Sequence, residues 1–340
     1  MKVELGPVRP WRHDLGHCLH ATLGVLLGFA NVAPLEVLGA AWSFFYRPRN
    51  VRREEYYWPC RNGDLAASVC PYHGVRSRWH HPPGAEEGVA EVHAAVAAGA
   101  PVAVAVDNFY LPFRPAFRDV HTNHLLTVYG FDDEARHALV ADAVPPRYQG
   151  PLALSDFVAA RGSSNPIRHD RDLFFTANPI AHRWLEVDVP ARMPALDAEF
   201  LRFVVESNLR GFGARGADDA YEGIEGAHRF LVDALARLGR GEAVVDEVFI
   251  VSGTALAAAG VHADYLLLAA DRFGSFALVE AARAVERVAS HWAALRIALA
   301  ELRDVSAPRL EGIRRRVEAL VRDHRSALAR LEHALEAGAF

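Results

Sequence analysis

The chain has 340 residues, of which 51% are hydrophobic and 23% charged, and this balance excludes a largely disordered protein. The net charge is −5, with 37 basic and 42 acidic residues, so the chain lacks the positive field of a nucleic-acid-binding protein. Its longest apolar runs, such as Ala255 to Gly260, fall short of the roughly 20 residues that span a bilayer, which predicts a protein outside the membrane.

Helical patterns dominate the beginning of the chain. Three segments have apolar residues at helical spacing: Leu19 to Phe29, Ala33 to Ala41 and Glu86 to Ala98. The first directly follows Cys18, so we expect a buried helix that begins at or near this cysteine. Pro34 suits the first turn of the second helix. The aromatic and arginine-rich residues from Trp42 to Trp58 predict a loop.

Strand patterns come next. Four short runs are typical of strands: Val102 to Val106, Leu125 to Tyr129, Ala138 to Ala141 and Asp172 to Thr176. Gly130 to Asp133, between the second and third runs, predicts a hairpin turn. Pro145-Pro146 ends regular structure, and Leu154 to Ala160 predicts a short helix.

The second half of the chain carries almost only helical patterns. Its five segments with apolar three- and four-residue spacing are Ala195 to Ser207, Ile224 to Leu238, Ala255 to Ala270, Phe276 to Leu302 and Leu310 to Leu335. Pro190 to Pro194 is the expected linker. We therefore predict an α+β domain at residues 1–188 and an all-helical domain at residues 195–340.

Cys18 is the candidate nucleophile. The chain has three cysteines, Cys18, Cys60 and Cys70, and no secretory signal from Met1 to Trp11, which predicts the reducing cytoplasm. Unpaired N–H groups at a helix N-terminus favour a thiolate, and the N–H of Cys18 would be free to donate to an oxyanion. Cys60 and Cys70 lack this setting, and we interpret them as structural.

His124 and Asp142 are the candidate partners of Cys18. His124 opens one predicted strand and Asp142 ends the next, so a hairpin with its turn near Asp132 would bring them together as base and orienting group. His121 is the alternative base, although it precedes the strand. The order Cys, His, Asp is that of papain-like folds, whereas α/β-hydrolases place the acid before the histidine.

Short motifs connect the chain to a known family. They are Gly16-His17-Cys18, Pro101 to Pro112 (PVAVAVDNFYLP), His124 to Asp132 (HLLTVYGFD) and Val140-Ala141-Asp142. With these motifs the first half resembles the N-terminal domain of the butirosin biosynthesis protein H family. The second half, in which Tyr221 to Gly226 opens a helix, is similar to the helical domain usually found behind it.

The resemblance implies a papain-like, cysteine-protease-type fold and acyltransferase chemistry. The family's namesake passes an acyl group from the phosphopantetheine thioester of an acyl carrier protein to an amine of an aminoglycoside. Carried over to this sequence, Cys18 is the nucleophile, His124 the general base and acid, and Asp142 the orienting group. No cofactor is expected besides the donor's phosphopantetheine arm. The expected partners are an acyl carrier protein and a small amine or hydroxyl acceptor. The helical domain would cover the site, shape the acceptor pocket or form a homodimer face.

The second donor of the oxyanion hole stays open. Related peptidases place a glutamine at the position of Arg12, so Arg12, His13 or His17 takes this role, or a thioester substrate needs less help. Arg12 and His17 are therefore candidate substrate-binding residues, together with Asp107 and Tyr110. Asp107 follows a strand and either binds substrate or caps the next turn.

Two charged clusters allow alternative interpretations. The histidines that could form a metal site are His13, His17, His20, His80, His81 and His121, but no CxxC accompanies them and we predict no metal. The arginines of one run either dock an acidic carrier protein or form a solvated loop neutralised by Glu54 and Glu55; they are Arg47, Arg49, Arg52 and Arg53. The adjacent aromatic residues either line an acyl channel or belong to the core: Tyr56, Tyr57 and Trp58.

The sequence thus predicts a cytoplasmic, cysteine-dependent acyltransferase of secondary metabolism. A papain-like peptidase or amidase with the same triad is the first alternative, because pocket shape decides whether water enters. A noncatalytic binding protein that kept the fold is the second.

Overall fold

The structure is a computed structural model that describes residues 2–48, 58, 63–169, 171–172, 175–214, 220–301, 307–338 and 340. Its elements, in chain order, are β1 (Lys2–Glu4), α1 (Cys18–Phe29), α2 (Pro34–Leu38), β2 (Phe45–Tyr46), α3 (Leu65–Val69), β3 (Arg76–His80), α4 (Ala85–Ala97), β4 (Val102–Asp107), a 3-10 helix (Asn108–Tyr110), β5 (Asn123–Asp132), β6 (His137–Asp142), β7 (Tyr148–Ala153), α5 (Leu154–Gly162), β8 (Trp184–Asp188), α6 (Ala198–Gly213), β9 (Tyr221–Glu222), α7 (Gly223–Gly239), α8 (Val245–Phe273), α9 (Phe276–Ala300) and α10 (Ala307–Glu336).

The chain forms two compact units. The first comprises Met1–Pro34 and Arg52–Ala191, and the second comprises Leu35–Val51 and Arg192–Phe340. The sequence-based division placed residues 35–51 in the first domain, whereas the structure gives them to the second unit. The reason is aromatic packing: the Trp42 ring lies 4.5 Å from that of Phe212, and the Phe44 ring stacks 5.9 Å from that of Trp292.

An antiparallel sheet organises the first unit. Its strand order is β3-β8-β4-β5-β6-β7, and β1 pairs with the end of β5. One face packs against α4 and α5, where Leu126 and Phe157 belong to the same buried cluster. The other face packs against α1, where Ala21 lies in a cluster with Tyr129. Because both faces are covered, β4 is buried along its whole length, although an antiparallel strand is often half exposed.

Helix α1 begins at Cys18, as the sequence predicted. His17 is its N-cap residue in an extended conformation, and ten of the twelve helical residues are buried. Gly24 lies in its middle because the Trp11 ring packs directly on that position: a Cβ there would come within 2.2 Å of the ring. The helix therefore lies as a buried element against the start of β5.

Long helices form most of the second unit. α8 packs along α9, and α10 packs against α9 and α7. Gly274 ends α8 in the left-handed conformation, and Ser275 caps α9 by accepting a hydrogen bond from Leu278 N–H. α8 is the one described helix that is long and apolar enough to cross a membrane, but 78% of its most apolar 18-residue window is buried. This placement is typical of the core helix of a soluble protein.

The structure confirms a mixed N-terminal unit followed by helices, while the papain-like identity stays a prediction. The expected strand from Asp172 to Thr176 is wrong for the residues of it that are described. Asp172 instead accepts hydrogen bonds from the backbone N–H groups of His121, Arg168 and His169, which fixes a turn. The strand that follows is β8, at Trp184–Asp188.

Candidate active site

Cys18 is the first residue of α1 and is 1% exposed. Its position places the thiol at the helix end where unpaired backbone N–H groups favour an anion. The preceding loop is held by a hydrogen bond from Gly16 N–H to the carbonyl of His13, at 3.0 Å. This hydrogen bond holds the backbone of the loop that leads into the helix.

His124 and Asp142 form a buried pair. Strands β5 and β6 are joined by the turn after Asp132, and Nε2 of His124 lies 2.8 Å from Oδ2 of Asp142. The two side chains are at most 1% exposed. Because the carboxylate accepts from Nε2–H, Nδ1 is the ring nitrogen that can carry a lone pair and act as a base.

The first turn of α1 lies at the beginning of β5. The hydroxyl of Thr22 donates to the carbonyl of Leu125 at 3.3 Å. Thr22 is one helical turn beyond Cys18, and Leu125 directly follows His124. This contact brings the helix of the candidate nucleophile to the strand of the candidate base.

Arg114 was missed by the sequence analysis. Its Nη1 lies 3.4 Å from Oδ2 of Asp142 and donates to the carbonyls of Val144 and Pro145, at 3.1 and 3.2 Å. Val144 N–H donates to the other oxygen of Asp142, at 2.9 Å. The carboxylate is therefore held from both sides. Arg114 lies in a loop without a periodic pattern, so the sequence carried no signal for this contact.

Asp107 belongs to a second buried network. One of its oxygens accepts from Nδ1 of His121 and the hydroxyl of Ser163, at 2.7 and 2.6 Å. The other accepts from the N–H groups of Phe109 and Thr122. Four donors contact the fully buried Asp107, and its carboxylate caps the 3-10 helix, which is one of the two alternatives considered from the sequence. The substrate contact stays a prediction. Tyr110 is half-buried and lies edge-on to His121.

Imidazole and indole rings surround the start of α1. The His17 ring lies 4.8 Å from that of His20, and Trp58 packs on both. Burial, with the nearby His17 and His13, holds the pKa of His20 well below its usual range, so this ring is neutral at neutral pH. Arg12 lies in the preceding loop, 3.6 Å from the carboxylate of Asp14.

The structure does not gather the candidate metal ligands. His80 stacks on Trp184 and contacts Glu186, away from the α1 histidines. Within the described part of the chain, no group of three or more His, Cys, Asp or Glu could hold a metal ion.

Of the remaining residues considered from the sequence, the structure describes some and not others. Cys70 is buried, donates to the carbonyl of Ala66, and has its pKa raised by burial to about 12, so it remains a thiol at neutral pH. Other residues considered from the sequence lie outside the described residues: Arg49, Arg52, Arg53, Glu54, Glu55, Tyr56, Tyr57 and Cys60.

Comparison with known proteins agrees with the motifs. The family described as butirosin biosynthesis protein H, N-terminal, matches residues 17–143, a span that includes Cys18, Arg114, His124 and Asp142. No curated protein matches the chain. Residues 17–143 are therefore similar to the family described as butirosin biosynthesis protein H, N-terminal, which agrees with the resemblance seen in the sequence.

Proposed function

We propose that the protein is a cysteine-dependent acyltransferase of secondary-metabolite biosynthesis with a papain-like catalytic unit. The observation that carries the proposal is the buried pair of His124 and Asp142 at the beginning of β5, where the first turn of α1 presents Cys18. A nucleophile at a helix N-terminus, a base and a group that orients the base are the parts that acyl transfer requires. The family match to biosynthesis protein H adds the biosynthetic context.

The proposed reaction has two halves. The Cys18 thiolate attacks the carbonyl carbon of a thioester, and the carbon–sulfur bond to the donor breaks as the leaving thiolate takes a proton from the His124 imidazolium. An acceptor amine then attacks acyl-Cys18, and His124 takes the amine's proton as the new carbon–nitrogen bond forms. Cys18 leaves as a thiolate, so proton and electron pairs balance. The N–H of Cys18 would donate to the oxyanion of each half.

The donor and acceptor follow from this chemistry. A thioester is already activated, so the reaction needs no cofactor besides the phosphopantetheine arm that carries the acyl group. We propose an acyl carrier protein as the carrier and a small amine, or less readily a hydroxyl compound, as the acceptor. His17, Arg12 and Tyr110 lie around the two candidate elements and are proposed substrate contacts.

The first experiment is intact-protein mass spectrometry after mixing with short acyl thioesters on coenzyme A and on a carrier protein. We expect the wild type to gain the mass of one acyl group and Cys18→Ala to gain none, since the thioester needs the thiol. The Cys70→Ala variant is the matched control, because a thiol with a pKa of about 12 stays unreactive. Absence of an adduct and of thiol release with every donor would contradict the acyltransferase. Release of free acid without any acceptor would instead indicate a hydrolase.

A further inference from the structure

Arg114 is a buried cation beside the candidate catalytic pair. Its side chain is 9% exposed, and its Nη1 lies within 3.4 Å of the Asp142 carboxylate. The same nitrogen donates to the carbonyls of Val144 and Pro145, the segment that directly follows Asp142. One guanidinium therefore joins the loop after the 3-10 helix to the end of β6.

The charges of this cluster depend on Arg114. Asp142 is 1% exposed, and a buried carboxylate is costly unless a positive charge or several donors face it. When His124 is neutral, Arg114 is the cation that contacts Asp142 among the described residues. When Cys18 and His124 are a thiolate and an imidazolium, the row of Cys18, His124, Asp142 and Arg114 has no net charge. Without Arg114 the same row would carry one negative charge.

We propose that Arg114 is a positioning residue whose positive charge faces Asp142 and limits how tightly the Cys18–His124 couple holds a proton. The inference rests on the proposed roles of Cys18 and His124. Removing a nearby positive charge favours the protonated form of both thiol and imidazole, so both macroscopic pKa values of the Cys18–His124 couple rise. A residue that only ties two loops together would leave these values in place.

The experiment compares Arg114→Gln with Arg114→Lys in the full chain. Glutamine keeps amide donors without a charge but is shorter than arginine, whereas lysine keeps the charge and loses the planar fork. Arg147→Gln is the matched control, because Arg147 is exposed just beyond Pro146 and water screens its charge. The readout is the rate of Cys18 alkylation by iodoacetamide as a function of pH, located by peptide mass mapping, which needs no acyl donor.

The variants leave the surrounding titratable groups unchanged, so a shift of the pH profile of Cys18 alkylation would be due to the change at residue 114. These groups, on the elements packed around the cluster, are Cys18 and His20 on α1, Asp107 on β4, His121 before β5, Tyr129 on β5 and Tyr148 on β7.

We expect Arg114→Gln to move both limbs of the profile to higher pH by about one unit, with Arg114→Lys and Arg147→Gln close to the wild type. Equal profiles for the glutamine and lysine variants would overturn the inference and leave Arg114 as a structural tie. If Arg114→Gln does not fold, the Arg114→Lys variant decides alone. A wild-type pH profile in Arg114→Lys supports the role of the charge. A profile displaced to the same extent as that of His124→Gln contradicts this role. If His124→Gln has the same pH profile as the wild type, the proposed function itself is contradicted. This outcome distinguishes failure of the proposed function from failure of the Arg114 inference.

Discussion

His121 and His124 lie close together, and each contacts a buried aspartate, so the structure contains two histidine–carboxylate pairs near one strand end. They differ in what surrounds the carboxylate. Asp107 is saturated by donors that hold the 3-10 helix and the Ser163 region, whereas Asp142 faces Arg114 and accepts a hydrogen bond from Val144 N–H. This difference favours His124 as the base and His121 as part of the scaffold.

We therefore expect His124→Gln to slow acylation of Cys18 about a hundredfold or more, because the thiol loses its proton acceptor. His121→Gln is the matched control, since it replaces the same ring near the same strand end, and we expect a much smaller effect on the rate. Stopped-flow measurement of thiol release from an acyl thioester gives both rates. The reverse ranking would move the base role to the His121–Asp107 pair.

The residues of the candidate site were only partly visible in the sequence. The sequence does show a cysteine before an apolar helix. It also shows His124 at the start and Asp142 at the end of a predicted hairpin, and antiparallel pairing brings these two positions together. Arg114 had no such signal. It lies in the twelve-residue loop from Leu111 to Thr122, and no periodicity fixes where such a loop lies.

At the level of elements, the sequence predicted best the strands that are buried on both faces. β4, β5 and β6 lie between two layers of helices and are mostly apolar and almost fully buried. β3 and β8 were missed because their sequences alternate with charged residues at the sheet edge, where Arg78 and Glu186 pair across the strands at 2.8 Å. α8 begins at Val245, ten residues before the predicted start at Ala255, and includes Gly253, where a Cβ would lie 3.3 Å from the Arg296 guanidinium.

Helix α1 offers a test of its packing. Gly24→Ala would place a Cβ against the Trp11 ring, so we expect the free energy of unfolding to fall by about 1–3 kcal/mol despite the better helix propensity of alanine. Gly28→Ala is the matched control, because the nearest atom to its Cβ is a carbonyl oxygen at 3.9 Å. Urea denaturation of both variants gives the comparison. Equal or higher stability of Gly24→Ala would show that Trp11 moves aside at little cost.

At the scale of the whole molecule, buried neutral histidines contribute to the loss of stability at acid pH. In the second unit, burial lowers the pKa values of His262 and His324 to about 4, although each ring nitrogen Nδ1 contacts a backbone carbonyl. Both rings stack on Trp42. The unfolded chain therefore binds protons on these residues at a higher pH than the folded chain does.

The sign of the effect follows from this difference. At a pH well above about 6.5, both states are neutral at these histidines, and their contribution to stability is constant. As the pH falls from about 6.5 to about 4, the unfolded state gains protons and stability falls, by about 3 kcal/mol for each histidine. We expect urea unfolding of the wild type to show this loss. The double variant His262→Asn, His324→Asn would be less stable at neutral pH and have a flatter profile over the same range. An unchanged slope would contradict the assignment.

The division of the chain has a consequence for making fragments of this protein. Residues 35–51 belong to the second unit but lie between two parts of the first, so the chain crosses from one unit to the other three times. A gene cut after codon 191 would encode Trp42 and Phe44 without the helices that bury them, and a fragment of residues 192–340 would lack these aromatic rings. Neither piece can be excised by a single cut, and separating the units requires a redesigned order of coding segments.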